Sequence, residues 1–471
     1  MSVSQAVSGY LIAALLTQFL FGSLRFIFRE TYAYPVMVRI HTFANLQLVM
    51  VIASYFIWSQ LKPAITVSES NYYLNFNPLI FWFIYPSVSD GVRVETNFMR
   101  WRTVCLDDIV KAFLLLFLIL THIWFLYFYI RVGEEPDFLA MVSLTALALI
   151  IHLTAFLTIV VCFHRICRIF LAFNIAPDFT RHVLEKAMLH RGIAFFAAVI
   201  LVAGGLYTAM SAPSIVNVDV PIENLSDAHQ GLKIALITDV HIGPSVGRSR
   251  VQHIVGLTNE LNPDIIAISG DLADGFVENL GVAASPLRFL KAPYGSYFVT
   301  GNHEYIHGRV DDWLKFLRNC GIKPLHNENV KISINDSSLC LAGVDDLFAE
   351  SSRVPGHKMD YKKALKGCSN TTNNLIILLT HQPNAARLVL NDKSVGTNID
   401  LILSGHTHGG QMYVFVPLVY VLNAFVRGLY RDPETGTQVY VSAGVNYFGP
   451  PVKMFFSCEI ILLKLVKAVS S

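Results

Sequence analysis

Ile234-Ala-Leu-Ile-Thr-Asp-Val-His241 is the stretch on which the reading of the chain turns. Four apolar residues run into Thr238, followed by Asp239 and His241, two side chains of metal-binding type. A short apolar run bounded by polar residues fits a strand buried on both faces of a parallel sheet. Asp239 and His241 stand two apart, so on a regular strand their side chains leave on one face. The stretch therefore predicts a strand that delivers two ligands to one metal ion at its carboxyl end. Asp-x-His recurs by chance, and its weight comes from four further motifs downstream.

Beyond this stretch, apolar strand-like runs alternate with helical patterns. The runs are 233–238, 265–269, 296–300, 331–334, 339–343, 375–379, 401–404 and 438–442, and the helical patterns are 249–261, 311–320 and 383–391. Such alternation predicts a layered α/β domain. Four more runs end in metal-type residues: Ile265-Ile-Ala-Ile-Ser-Gly-Asp271, Val299-Thr-Gly-Asn-His-Glu304, Leu378-Leu-Thr-His-Gln-Pro383 and Leu403-Ser-Gly-His-Thr-His-Gly-Gly-Gln411. Each has an ordinary reading alone: Asp271 as a turn residue, Asn302 as a helix cap, His406 and His408 as plain strand-end histidines. Sites in open α/β sheets form beyond the carboxyl ends of strands, so five such ends in one domain predict one shared centre. His253, His307, His326 and His357 fall outside the pattern and read as surface residues.

The order Asp-x-His, Gly-Asp, Gly-Asn-His-Glu, His, Gly-His-x-His resembles the calcineurin-like metallophosphoesterase superfamily over nearly all of residues 231–465. Gly409-Gly-Gln411 and Gly343-Val-Asp-Asp346 resemble its membrane-attached, bacterial-type phosphodiesterase branch. The resemblance implies an α/β/β/α sandwich of two sheets between helices, with two divalent metal ions at the strand ends. Carried over position by position, Asp239, His241 and His408 hold the first metal, Asp271 bridges, and Asn302, His381 and His406 complete the second. The donor chemistry agrees: His, Asp and Asn suit Zn, Mn or Fe, and a carboxylate can bridge two ions about 3.5–4 Å apart. The implied reaction is hydrolysis of a phosphodiester or phosphomonoester by a water activated between the metals. His303 is the implied acid that contacts the scissile phosphate and protonates the leaving oxygen. Glu304, where many relatives have Asp, is the expected partner that orients His303. Asn446 and Lys453 stand where relatives often carry Gly and a phosphate-gripping Arg, which Lys replaces less well.

The first part of the chain is of another kind. Of 471 residues, 53% are hydrophobic and only 15% charged, against roughly 25% charged in soluble domains. The formal net charge of +2 speaks against a nucleic-acid partner. Apolar stretches at 7–27, 38–60, 109–130, 138–164 and 193–212 predict five membrane spans. The first has no basic start and no clear cleavage site, which speaks against a signal peptide. Leu79-Ile-Phe-Trp-Phe-Ile-Tyr85 is too short to cross and reads as interfacial. His41, His122 and His152 have no ionisable partner at helical spacing and read as packing or hydrogen-bonding residues. The expected organisation is thus an α-helical multi-span bundle in 1–212, a linker in 213–230 and the α/β domain in 231–471.

Orientation is read from charge. Arg165, Arg168, Arg181, Lys186 and Arg191 lie around the loop between spans four and five, whereas Glu134, Glu135 and Asp137 join Arg131 between spans three and four. By the positive-inside rule the former loop is cytosolic and the domain lumenal or extracellular, although Arg25, Arg29 and Arg39 in the first loop vote the other way. Sequons at Asn224, Asn335 and Asn370 are compatible with the lumenal side. Cys320, Cys340, Cys368 and Cys458 form no CxxC pair and read as either free or paired. The segment 415–430, with Arg427 its single charge away from the end, reads as a buried strand and helix, or alternatively as an apolar flap at the bilayer. The expectation is a multi-pass membrane phosphoesterase with a phosphoester substrate, a lipid phosphate among the candidates. A catalytically silent metal-binding receptor or scaffold is the rival.

Overall fold

The computed structural model describes residues 3–28, 34–65, 96–127, 133–306, 309–369, 374–396, 398–454 and 457–468. Leu79–Tyr85, Arg131, His307 and Asn370 lie outside them. The chain forms two compact units. One comprises Met1–Leu15, Thr42–Trp124 and Val142–Ala203; the other comprises Leu16–His41, Phe125–Met141 and Gly204–Ser471.

Among the described residues, four helical stretches are long and apolar enough to cross a bilayer: Met37–Leu61, Ile109–Leu126, Phe138–Ala172 and Ala187–Met210. The first expected span, 7–27, falls on helix Val3–Ile27, whose apolar segment among the described residues is Ile12–Ile27. The histidines of these helices find local partners only in part, since His41 Nδ1 and His152 Nε2 are buried without a hydrogen-bond partner. His122 meets Gln47 Oε1 at 2.7 Å and Ser54 Oγ at 3.0 Å, and His152 Nδ1 donates to Ala148 O at 2.8 Å.

The second unit carries two six-stranded sheets. In chain order the strands are β1 (Ser214–Ile222), β2 (Lys233–Ile237), β3 (Ile265–Ser269), β4 (Ser296–Val299), β5 (Ile322–Pro324), β6 (Glu328–Ile334), β7 (Ser337–Gly343), β8 (Asn374–Leu379), β9 (Leu401–Ser404), β10 (Gly428–Arg431), β11 (Gln438–Val441) and β12 (Glu459–Lys467). The sheet orders are β1-β12-β2-β3-β4-β5 and β10-β11-β9-β8-β7-β6.

Side-chain alternation builds the layers. Ile234 and Leu236 of β2, Ile265 and Ala267 of β3, and Leu375, Ile377 and Leu379 of β8 meet between the sheets. Their alternates Ala235, Ile237, Ile266 and Ile268 pack under Val251, Ile254, Trp313 and Leu317 of helices Arg248–Glu260 and Val310–Asn319. On the far side Ile376, Leu378 and Ile402 pack under Ala386, Val389 and Leu390 of helix Pro383–Asn391. This is the expected α/β/β/α sandwich, and it explains why the strands read as continuous apolar runs: both faces of each are covered.

Residues 213–230 are not a plain linker, as the sequence suggested. Their alternating stretch is β1, paired in parallel with β12 from Ser214↔Glu459 to Ile222↔Lys467. As an edge strand, β1 buries only part of its side chains, which is why its pattern resembles a half-exposed extended segment.

Candidate metal centre

The carboxyl ends of β2, β3 and β4, parallel neighbours in one sheet, and of β8 and β9 in the other, bring the five motifs together. Ser269 Oγ donates to Thr380 O at 3.0 Å, tying the third strand of one sheet to the loop after β8 of the other. Three overlapping groups of side chains have ligand atoms within 4.8 Å of one another: Asp239, His241 and His408; His241, Asp271 and His303; Asp271, His381 and His406. His241 and Asp271 each belong to two groups, so the arrangement is one continuous cluster. Asp271 Oδ2 lies 3.1 Å from His381 Nε2, 3.8 Å from His241 Nε2 and 3.9 Å from His303 Nε2. His408 Nε2 lies 3.3 Å from Asp239 Oδ1 and 3.1 Å from His241 Nε2.

The backbone differs from the expected geometry. β2 ends at Ile237, so Asp239 and His241 do not alternate on a strand. They lie beyond it with φ of 56° and 48°, and Asp271, His406 and His408 also have positive φ, of 51°, 71° and 51°. A left-handed conformation costs roughly 1–2 kcal/mol per non-glycine residue, and such residues concentrate where function overrides local preference. Backbone bonds between the loops hold them: Asp239 N–H to Gly270 O at 3.1 Å, His241 N–H to Asp271 O at 3.1 Å, Gly405 N–H to His381 O at 2.9 Å. Gly270 is obligatory twice over, because its φ is +77° and a Cβ there would lie 2.5 Å from His381 Nδ1.

Tautomers are set from outside the cluster. His381 Nδ1 donates to Ser269 O at 2.8 Å, and its buried Nε2 faces Asp271 Oδ2 at 3.1 Å without an aligned hydrogen bond. His241 Nδ1 faces Asp274 Oδ1 at 3.0 Å, leaving Nε2 toward Asp271. Ligating histidines ordinarily show this outer carboxylate or carbonyl. Asn302 Oδ1 is likewise buried without a partner, and an acceptor left bare at that depth is costly unless a cation takes it. Orphaned Asn and His donors around two buried carboxylates fit divalent metal ions. Burial alone would drive the Asp271 carboxyl up, but the imidazoles of His381 and His303 outweigh it and hold it well below the usual range.

Asp274, which sequence reasoning passed over, has a central place. It receives His303 Nδ1 at 2.7 Å on the same Oδ1 that faces His241. Burial pulls the His303 imidazole down, but Asp271 and Asp274 prevail and push it up to about 9. Glu304 does not orient His303. Its carboxylate accepts N–H bonds from Gly301 at 2.6 Å, Leu272 at 2.8 Å and Asp271 at 3.1 Å, binding the second and third motifs together. The side chain is buried among backbone donors, and so the imidazole is left to Asp274. The available signal was the spacing Asp271-Leu-Ala-Asp274, three residues that return the chain to the same side of a turn.

Residues 232–410 match the family profile described as Calcineurin-like phosphoesterase. The chain is 45% identical over 455 residues to the Caenorhabditis elegans protein F40B5.2, named for a metallophosphoesterase, spanning 92% of this chain and 91% of that one. It is 39% identical to proteins from Danio rerio and Bos taurus named "Transmembrane protein with metallophosphoesterase domain", over 76% and 75% of this chain and 80% and 79% of theirs. The chain belongs to the calcineurin-like metallophosphoesterases. The family's phosphoester chemistry and use of divalent metals accord with the His/Asp cluster, and four apolar helices accord with the transmembrane relatives.

Two further features of this metallophosphoesterase depart from expectation. Lys453 does not reach for a phosphate: it is fully buried, and its Nζ donates to Ala443 O at 2.5 Å and to Asn446 O, 3.5 Å from His408 Nδ1. It clamps the 443–446 loop behind His408. Asn446 is equally internal, donating to Val240 O at 2.8 Å and accepting from Arg250 Nε at 2.9 Å. Of the cysteines, Cys340 and Cys368 form a disulfide, and Cys320 and Cys458 are free.

Proposed function

We propose that the protein is a membrane-bound hydrolase that uses two divalent ions, Zn, Mn or Fe, to cleave a phosphoester carried by a lipid. The observation that carries the reading is the single buried cluster in which Asp271 is shared between neighbouring His/Asp groups. In this reading Asp239, His241 and His408 hold one ion, Asn302, His381 and His406 the other, and Asp271 both. When bound, such ions supply an acidified water and neutralise charge on phosphoryl oxygens. The chain's own residues do the rest. Asp274 keeps the His303 imidazole protonated and aimed, so that Nε2–H can be given to the leaving oxygen. Phe448 packs against His303 and His241, with ring centroids 4.5 and 5.3 Å away.

The lipid part rests on what surrounds the cluster. Helix Val416–Leu422 buries none of its residues, and Leu418, Tyr420, Val421 and Leu422 are exposed. The reading of 415–430 as wholly buried therefore holds only for its later part, where Phe425 and Val426 are core. The loop before the helix is tied to the end of the last apolar helix. Met454 N–H donates to Gln411 O at 2.8 Å, and Lys453 N–H donates to Gly205 O at 3.0 Å. Gly205 allows this approach, since a Cβ there would fall 2.5 Å from Val452. An apolar helix on a rim joined to a membrane span favours a substrate presented at the bilayer surface. In the full chain, Leu418→Ser/Val421→Ser/Leu422→Ser is expected to lower cleavage of a lipid phosphate in vesicles about tenfold, roughly 1.4 kcal/mol of lost apolar contact. Hydrolysis of a small water-soluble ester should stay within about twofold, since these side chains are exposed. Equal loss on both substrates would refute the lipid reading.

The same reading places the domain in a lumen or outside the cell. Glu134, between the second and third of the four apolar stretches, pairs with Arg248, and Glu135 accepts from Ser249 N–H at 2.9 Å, so this acidic loop lies on the domain's side. The positive-inside rule then makes the segment around Arg165, Arg168, Arg181, Lys186 and Arg191 the cytosolic one. The Cys340–Cys368 disulfide favours an oxidising compartment. Asn224 and Asn335 are exposed, the latter at the β6–β7 turn. In a eukaryotic host, glycosidase treatment is expected to shift the band, and Asn335→Gln to remove part of the shift. An unshifted band with a C-terminal tag labelled from the cytosol would reverse the orientation.

A further inference from the structure

A second histidine–aspartate cluster shares no residue with the first. Asp345, beyond the end of β7, is fully buried. His326, between β5 and β6, places Nδ1 2.6 Å from Asp345 Oδ1, and His357 places Nδ1 3.5 Å from Asp345 Oδ2. One ligand atom from each of the three lies within 4.8 Å of the others. The two imidazoles are 4.4 Å apart between centroids, tilted by 40°. Neither is the surface residue that its sequence context suggests: His357 is buried and His326 only partly exposed.

We propose that His326, Asp345 and His357 bind a third metal ion, a single Zn²⁺, outside the first cluster. Asn327 Nδ2 donates to Asp345 Oδ2 at 3.1 Å and Asn327 Oδ1 accepts from Asp345 N–H at 3.1 Å, so the amide meets one edge of the buried carboxylate and leaves its charge to be balanced by a cation. Two imidazoles crowded against one carboxylate are what Asn327 leaves unexplained. Two protons on them would repel at that spacing, whereas a metal accepts a lone pair from each. With Nδ1 of His357 given to the ion, its Nε2 is left facing Asp311 Oδ1, 3.3 Å away. This is the outer carboxylate that ligating histidines usually have. Two imidazoles and a carboxylate suit zinc better than calcium or magnesium. The part-exposed edge at His326 gives the ion an entry path and a fourth position open to water.

The site's place in the fold suggests its use. Thr300 Oγ1 accepts from the N–H of Asp346, next to Asp345, at 3.2 Å and lies 3.0 Å from Tyr305 Oη, which would yield its 3.1 Å contact with His357 Nδ1 to the ion. The segment 300–305 also carries Asn302 and His303. An ion at Asp345 would thus clamp from behind the loop that presents those residues.

The test is metal counting on the full chain in detergent after loading with zinc and removal of the excess. His326→Ala and His357→Gln are each expected to bind one equivalent less than the parent, whatever the parent's total. This difference does not depend on how many ions the first cluster holds. Asp311→Asn is expected to weaken the lost equivalent about 10–100-fold without abolishing it. Should a histidine variant fail to fold, cobalt titration of the parent chain against the Asp311→Asn chain decides instead. A class of site weakened in the variant supports the proposal, and superimposable titrations overturn it. An unchanged zinc count in folded His326→Ala and His357→Gln also overturns it.

Discussion

Asp271→Asn is expected to strip the first cluster of its metals and to lower turnover about 10³-fold, the scale on which losing a central electrostatic element acts. Asp271 is the carboxylate that neighbours His381, His241 and His303 together. A carboxylate can give one oxygen to each of two ions; an amide offers one weak oxygen and turns a donor face toward the other ion. Asp239→Asn, at the edge of the cluster beside His408, should cost mainly one ion. Elemental analysis of the purified chains distinguishes the two cases. The metal-free Asp271→Asn chain should melt below the metal-free parent, because removing the carboxylate leaves the imidazoles of His381 and His303 without their buried partner. Added metal should raise the melting temperature of the parent far more than that of the variant, since only an ion that binds the native state stabilises it. Two ions retained per Asp271→Asn chain would defeat the shared-ligand reading.

His303→Gln should keep the metals and lose about 10²–10⁴-fold in turnover, the usual contribution of a positioned general acid. The loss should shrink for esters with acidic leaving groups, which depart without a proton. Asp274→Asn supplies the companion measurement. Asp274 holds both His303 and His241, so its loss should lower turnover on alkyl esters and also weaken metal affinity by about 10–100-fold. Equal losses of the His303→Gln chain on nitrophenyl and alkyl esters would mean that His303 acts on phosphate binding and not on the leaving group.

How much of this was legible in the sequence can be argued residue by residue. Each candidate ligand lies within a few positions of an apolar run, so motif and strand are read in one window. The strands announce themselves because they are covered on both faces, by the other sheet and by helices. β1 did not, because at the sheet edge it alternates like an exposed segment. Glu304 and Lys453 were legible as residues and not as contacts: both are charged groups whose carboxylate or ammonium turned out to serve backbone groups inside the fold.

The sequence by itself determined a layered α/β domain, from strand and helix periodicity, and, through the order of ligand-type residues placed next to strands, the resemblance to the family whose fold implies two sheets. Tertiary structure alone decided which groups face which. Asp274 rather than Glu304 holds His303, left-handed turns rather than strand alternation aim Asp239 and His241, and His326 and His357 close on Asp345 from separate loops. The physical reason is common to all three. Each depends on the φ and ψ of a few loop residues, and those are set by hydrogen bonds to partners many positions away, which no local pattern of apolar and polar residues encodes.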